Sequence, residues 1–164
     1  GRLIPRTQLT YSVPVQGPAP EPVRQGPDRL AELRALLAPE IKQNLVEVLD
    51  GPIVRLTNAF ASGSDRIEDD RIPLLKKIAQ RFKNDKCYIE VIGHTDSQPF
   101  RSARFGSNWD LSIARAERVA GLLISEGIAK ERVSSTGRAE KEPLVDNDTP
   151  EHRAMNRRTD IYIR

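Results

Sequence analysis

The run Cys87-Tyr88-Ile89-Glu90-Val91-Ile92-Gly93 is the most strand-like in the chain, and His94-Thr95-Asp96 follows it with an acid just past the strand. Pro99 to Gly106 then reads as a loop containing Arg101 and Arg104. Ser107 can cap a helix with Asp110 three residues on, and the helical pattern runs to Glu126, where Gly127 stops it. A strand, a loop and a long amphipathic helix in this order set the period of the fold.

Toward the N-terminus, Asp70 to Lys83 places Ile72, Leu75, Ile78, Ala79 and Phe82 on one helical face, with Pro73 tolerated in the first turn. Phe60-Ala61-Ser62-Gly63-Ser64 is a small-residue loop. Before it, Leu45 to Leu49 and Ile53 to Thr57 flank Asp50-Gly51-Pro52 and predict a hairpin. Toward the C-terminus, Arg132 to Gly137 is a weaker strand, a polar loop runs through Asn147-Asp148-Thr149-Pro150, Glu151 to Met155 is a short helical turn, and Arg158 to Ile163 is a closing strand. The order β-β-α-β-α-β-(α)-β predicts an α/β sandwich with helices on one sheet face and at least one crossover between parallel neighbours.

The remaining residues divide into a lead-in and a linker. Asp28 can cap a helix in which Leu30, Leu33, Leu37 and Ile41 recur at helical spacing, with a break or kink at Pro39. Residues 1–28 contain six of the twelve prolines, which removes backbone donors too often for helix or central strand and predicts an extended linker. At full extension 28 residues reach on the order of 90 Å. The organisation expected is a linker over 1–28, a helical lead-in over 29–43 and a folded domain over 44–164.

Composition narrows the function classes. The 164 residues are 38% apolar, enough for one core, and 26 basic against 23 acidic residues give a mixed surface rather than a nucleic-acid stripe. Cys87 alone forms no internal disulfide and reads as a small buried hydrophobe. No run of 18 apolar residues and no charged-then-apolar leader is present, which still suits the soluble part of a membrane-anchored protein. His94 and His152 with one cysteine are too scattered for a zinc site, and no nucleophile elbow or phosphate-cradling glycine pattern occurs. The reading is noncatalytic, without cofactor or metal. Trp109 reads as packing in the first helical turn rather than as an exposed platform, and Arg153, Arg157 and Arg158 as a solvated charged run or a contact for acidic groups.

One residue resists the pattern. On a helical wheel Arg115 shares a flank with Leu111, Val119 and Leu122, so a permanently charged guanidinium interrupts an apolar stripe and needs an acid from the fold or from a ligand. It is either a structural ion pair or a carboxylate receptor. Asp96 sits where strand-end loops assemble binding sites, although a turn-capping role is the alternative. An acid and a forked cation beside one loop suit an amino-acid head group.

Gly93-His94-Thr95-Asp96, Asn108-x-x-Leu111-Ser112-x-x-Arg115-Ala116, Arg132-Val133 and Asn156-Arg157-Arg158, in this order, resemble the OmpA-like peptidoglycan-binding domain over roughly residues 44 to 164. The resemblance implies a β-α-β-α-β mixed sheet with helices on one face, and peptidoglycan as partner. It carries the diaminopimelate-gripping roles to Asp96 and Arg115, a pocket-lining role to Asn108, and a nearby place to Arg157; Thr95 and Leu111 lie inside the same motifs. Within the family, Leu36-Leu37-Ala38-Pro39-Glu40-Ile41, Phe60 to Ser64, Phe105 to Trp109 and Gly137-Arg138-Ala139-Glu140 resemble the long TssL-type branch of type VI secretion. Ser107-Asn108-Trp109-x-Leu111-Ser112 and Asn147 to Pro150 are shared with MotB-type flagellar stators. Gly137-Arg138-Ala139 departs from the Gly-Tyr-Gly of many relatives. The resemblance thus implies a periplasmic wall anchor, part of an inner-membrane-anchored protein, with other envelope components of the secretion complex or a second copy as further partners. An enzyme acting on the wall and a domain binding only proteins are the rival readings.

Overall fold

The computed structural model describes residues 28–164. The linker expected over 1–28 therefore lies outside the described residues, except for Asp28.

The elements follow the order expected from the sequence. Helices α1 (Arg29–Leu36) and α2 (Ala38–Lys42) precede strands β1 (Glu47–Leu49) and β2 (Ile53–Thr57). Then come α3 (Ile72–Phe82), β3 (Ile89–His94), α4 (Asn108–Ser125), a 3-10 turn at Lys130–Arg132, β4 (Val133–Gly137), α5 (Pro150–Asn156) and β5 (Arg158–Ile163). Asp28 caps α1 by accepting from Leu30 N, and Pro39 divides the lead-in into two helices, because it can open a helix but not continue one. Ser107 caps α4 by accepting from Asp110 N, and Gly127 leaves that helix at φ 120°.

The five strands form one sheet in the order β1-β2-β5-β3-β4. β1 and β2 are the expected hairpin, with Leu49 opposite Ile53. β3 and β4 are parallel and joined through α4, as the crossover rule requires. β5 enters last and takes the centre, antiparallel to β2 and to β3. Alternation sorts its side chains: Ile161 and Ile163 are fully buried with Val54, Leu56, Ile89 and Val91 on the face that receives Leu74, Leu75, Ile78 and Phe82 of α3 and Ala116, Val119 and Leu123 of α4. Leu33 and Leu37 of the lead-in sit at 0% exposure in this same core.

The other face carries charge. Arg55 meets Asp160 through a two-bond fork at 2.8 and 3.0 Å, and Arg158 reaches the same carboxylate at 3.3 Å. His94, 4% exposed, lies 4.0 Å from Asp160. Its burial, and next the charge of Arg158, push its pKa down to about 4, so it is neutral at physiological pH.

Two glycines set the approach of α4. A Cβ at Gly93 would collide with the Ser112 carbonyl, and one at Gly137 would lie 2.6 Å from Ile113 N. The helix thus lies directly on the ends of β3 and β4, bringing its N-terminal half beside the loop after β3.

Candidate functional site

Asp96, Arg115, Asn108, Thr95, Leu111 and Arg157, named from sequence, converge on one cavity of about 480 Å³. Its wall also includes Asn58, Phe60, Gly63, Phe100 and His94.

Asp96 is 7% exposed at the end of β3. Its Oδ1 accepts the Gln98 N–H at 3.0 Å, which curls the loop into an Asx turn, and its Oδ2 accepts from Arg157 Nη1 at 2.7 Å. Arg157 is held in turn by Asn58 Oδ1 at 3.2 Å, and Asn58 N donates to the Arg157 carbonyl. The turn-capping role considered for the acid is present, and Asp96 also lines the cavity.

Arg115 comes from the flank of α4. Its Nε donates to the Ser64 carbonyl at 2.8 Å, its Nη2 reaches the Ala61 carbonyl at 3.4 Å, and its guanidinium carbon stands 5.1 Å over the Phe60 ring. No carboxylate of the described residues forms an ion pair with it. Burial, reinforced by the positive charge of Arg157, pushes its pKa down to about 10, while Asp65 and Asp96 oppose the shift from a distance. The structural ion pair considered for Arg115 is therefore absent among the described residues; neutral carbonyls and a ring hold the side chain in place.

The other named residues build the frame. Asn108 donates from Nδ2 to the Gln98 carbonyl at 2.9 Å, so the first residue of α4 pins the Asp96 turn. Thr95 is 5% exposed, donates its backbone N–H to the Ala139 carbonyl at 2.8 Å and its hydroxyl to the Asp96 carbonyl at 2.9 Å. Leu111, 4% exposed, supplies an apolar wall.

The arginine run resolves into unlike roles. Arg157 pairs with Asp96 and Arg158 is buried against Asp160, so the solvated-run reading fails for both. Trp109 also departs from expectation: it is 47% exposed, because it falls on the side of α4 turned away from the sheet. Sequence reasoning missed Asn58, Phe60 and Phe100, which lie on loops without a periodic signal. It also missed Asp65, which is 7% exposed at its side chain and ties Arg104 of the loop before α4 at 3.0 Å and Arg118 of α4 at 2.9 Å. Asn156 was visible only as part of a motif. It is fully buried and accepts from Leu144 N and Val145 N while donating to the Val145 carbonyl and to Asn147, which fixes the loop before α5. The described residues contain no cluster of three or more His, Cys, Asp or Glu able to hold a metal.

Comparison with known proteins gives a consistent frame. The OmpA family matches residues 59–157. A solved structure described as the cell wall anchor of the type VI secretion system (T6SS) from Pseudomonas aeruginosa superposes with a TM-score of 0.73 at 38% identity, covering 79% of this chain and 94% of that one. Motility protein B of Bacillus subtilis is 38% identical over 63% of this chain and 41% of its own length. The peptidoglycan-binding protein ArfA of Mycobacterium tuberculosis is 27% identical over 97% of this chain and 44% of its own. The chain thus spans less than half the length of these two curated relatives.

Proposed function

This chain belongs to the OmpA family, and from that premise we propose that it is a noncatalytic anchor holding the diaminopimelate end of a peptidoglycan stem peptide in the cavity between β3 and α4. The observation that carries the reading is Arg115, a fixed guanidinium facing a cavity with no carboxylate partner among the described residues. A ligand carboxylate satisfies it and restores the pKa that burial lowers.

Diaminopimelate ends in an amino-acid centre with one carboxylate and one ammonium. The carboxylate takes the free side of the Arg115 fork. The ammonium takes Asp96, whose two oxygens each accept one N–H within the fold and keep a further lone pair. Arg157 and Asn108 hold the acid and its turn in place, Thr95 fixes the strand end, and Leu111 lies along the methylene chain. No step of bond making is involved.

The assembly served is the T6SS membrane complex, with the domain in the periplasm as the soluble part of an inner-membrane-anchored protein. The match to nearly the whole of a T6SS wall anchor favours this over a flagellar stator, which the motility relative supports as second reading. Calorimetry with a diaminopimelate tripeptide and its lysine counterpart tests the site. Heat with the first and not the second is expected, since lysine lacks the carboxylate; equal heats, or none with either, overturn the assignment.

A further inference from the structure

We propose that the shallow groove beside Trp109 is a saccharide subsite, in which the indole face stacks on a pyranose ring of the glycan strand whose stem peptide occupies the adjoining cavity. The inference rests on the reading of that cavity as a stem-peptide site.

A tryptophan half exposed on a well-packed helix gives up much of the burial that its ring offers. Trp109 faces a groove of about 440 Å³ whose other walls include Phe100, Arg101, Glu140 and Lys141. The groove shares Pro99, Phe100 and Asn108 with the cavity that holds Asp96 and Arg115, so the two are neighbours across one wall. A molecule filling the cavity and continuing outward over that wall meets the indole.

The chemistry of the groove selects the occupant. A pyranose offers a face of C–H groups and a rim of hydroxyl and amide groups. The indole supplies a flat apolar partner for the face, Arg101 and Lys141 supply donors for the rim, and Glu140 supplies an acceptor. Peptidoglycan links a sugar covalently to the stem peptide, so capture of one brings the other to the site at high effective concentration. The groove wall is also fixed in advance: Arg104 of its loop is tied to Asp65 at 3.0 Å, and the Phe100 and Phe105 rings pack with centroids 6.4 Å apart.

Trp109 is the only tryptophan in the chain, so intrinsic fluorescence reports on this groove alone. The test compares a bare diaminopimelate tripeptide with the disaccharide tripeptide, by calorimetry on wild type and Trp109→Ala and by emission of the wild type. The wild type is expected to bind the disaccharide form roughly tenfold tighter, with a spectral shift exceeding that caused by the bare peptide. Trp109→Ala is expected to bind both ligands with the wild-type affinity for the bare peptide. Equal affinities in the wild type, retention of the gain by Trp109→Ala, or loss of bare-peptide binding in that variant overturns the subsite. If the wild type binds neither ligand, the stem-peptide reading itself fails and the subsite with it.

Discussion

Arg157 donates to Asp96 across 2.7 Å, so the acid beyond β3 is answered by the C-cap residue of α5, just before β5, and not by the arginine of α4. The two cations of the cavity therefore differ in kind. Arg157 is already engaged by a carboxylate, and Arg115 has none among the described residues.

Arg115→Met is expected to abolish stem-peptide binding while leaving the melting temperature unchanged or slightly raised. Burial of a guanidinium with no carboxylate partner costs the fold, and an apolar chain of similar length removes that cost, offset by the loss of its bonds to the Ser64 and Ala61 carbonyls. Arg115→Lys keeps the charge but loses the fork and the stack on Phe60, and should weaken binding by roughly 2 kcal/mol or more. Calorimetry and thermal denaturation of the same preparations check both; tight binding by the methionine variant would remove Arg115 from the site.

Asp96→Asn retains an oxygen for the Gln98 N–H but no longer neutralises Arg157. Co-sedimentation with sacculi should fall to background. The stability loss should stay near 1 kcal/mol, because the Arg157 side chain is 37% exposed and water screens the pair.

His94 is held neutral in the folded state with a pKa near 4, against 6.5 for a free imidazole. Between those values the unfolded chain binds the extra proton, so His94 contributes stability that is present above pH 6.5 and lost as pH falls toward 4, about 3 kcal/mol in all. Urea unfolding midpoints measured from pH 7 to pH 4 should decline steeply in the wild type and less steeply in His94→Gln.

Ala139 occupies φ 52° while 3% exposed, a left-handed conformation that suits glycine. Ala139→Gly relieves roughly 1 kcal/mol of backbone strain but restores freedom to the unfolded chain, so the net gain should be about 0.5 kcal/mol. Gly137→Ala, two residues earlier at the end of β4, should instead cost roughly 3 kcal/mol because its Cβ meets α4 at Ser112 and Ile113. Opposite shifts in denaturation midpoint for these two variants are the expected result.

The sequence carried the fold through periodicity. Ile72 to Phe82, Ile89 to Ile92 and Leu111 to Leu123 each repeat at the period of the element they form, and the crossover between β3 and β4 follows from their order. The central place of β5 did not show, because Thr159-Asp160-Ile161 alternates like an edge strand; only the ion pairs of Asp160 with Arg55 and Arg158 let that carboxylate lie buried mid-sheet. At the site, Asp96 and Arg115 were visible as residues out of place. The pairing of Asp96 with Arg157 was not, since 61 positions separate them and no local rule joins a strand end to a helix C-cap so far along the chain. Asn58 and Phe60 belong to a loop held by Arg115 of α4 and by Arg157 at the C-cap of α5, so their sequence neighbours carry no sign of it.

The lead-in helix bears on mechanics. Leu33 and Leu37 are buried in the core, Glu32 of α1 is forked by Arg81 of α3, and Arg29 reaches Asp85 just beyond α3 at 3.4 Å. A pull arriving through the residues before Asp28 therefore loads α1 against α3 and the hydrophobic interior before it can peel β1 from the sheet edge. The lead-in is thus seated as a clamp rather than a hinge, so a load applied at Asp28 is shared across the whole described body.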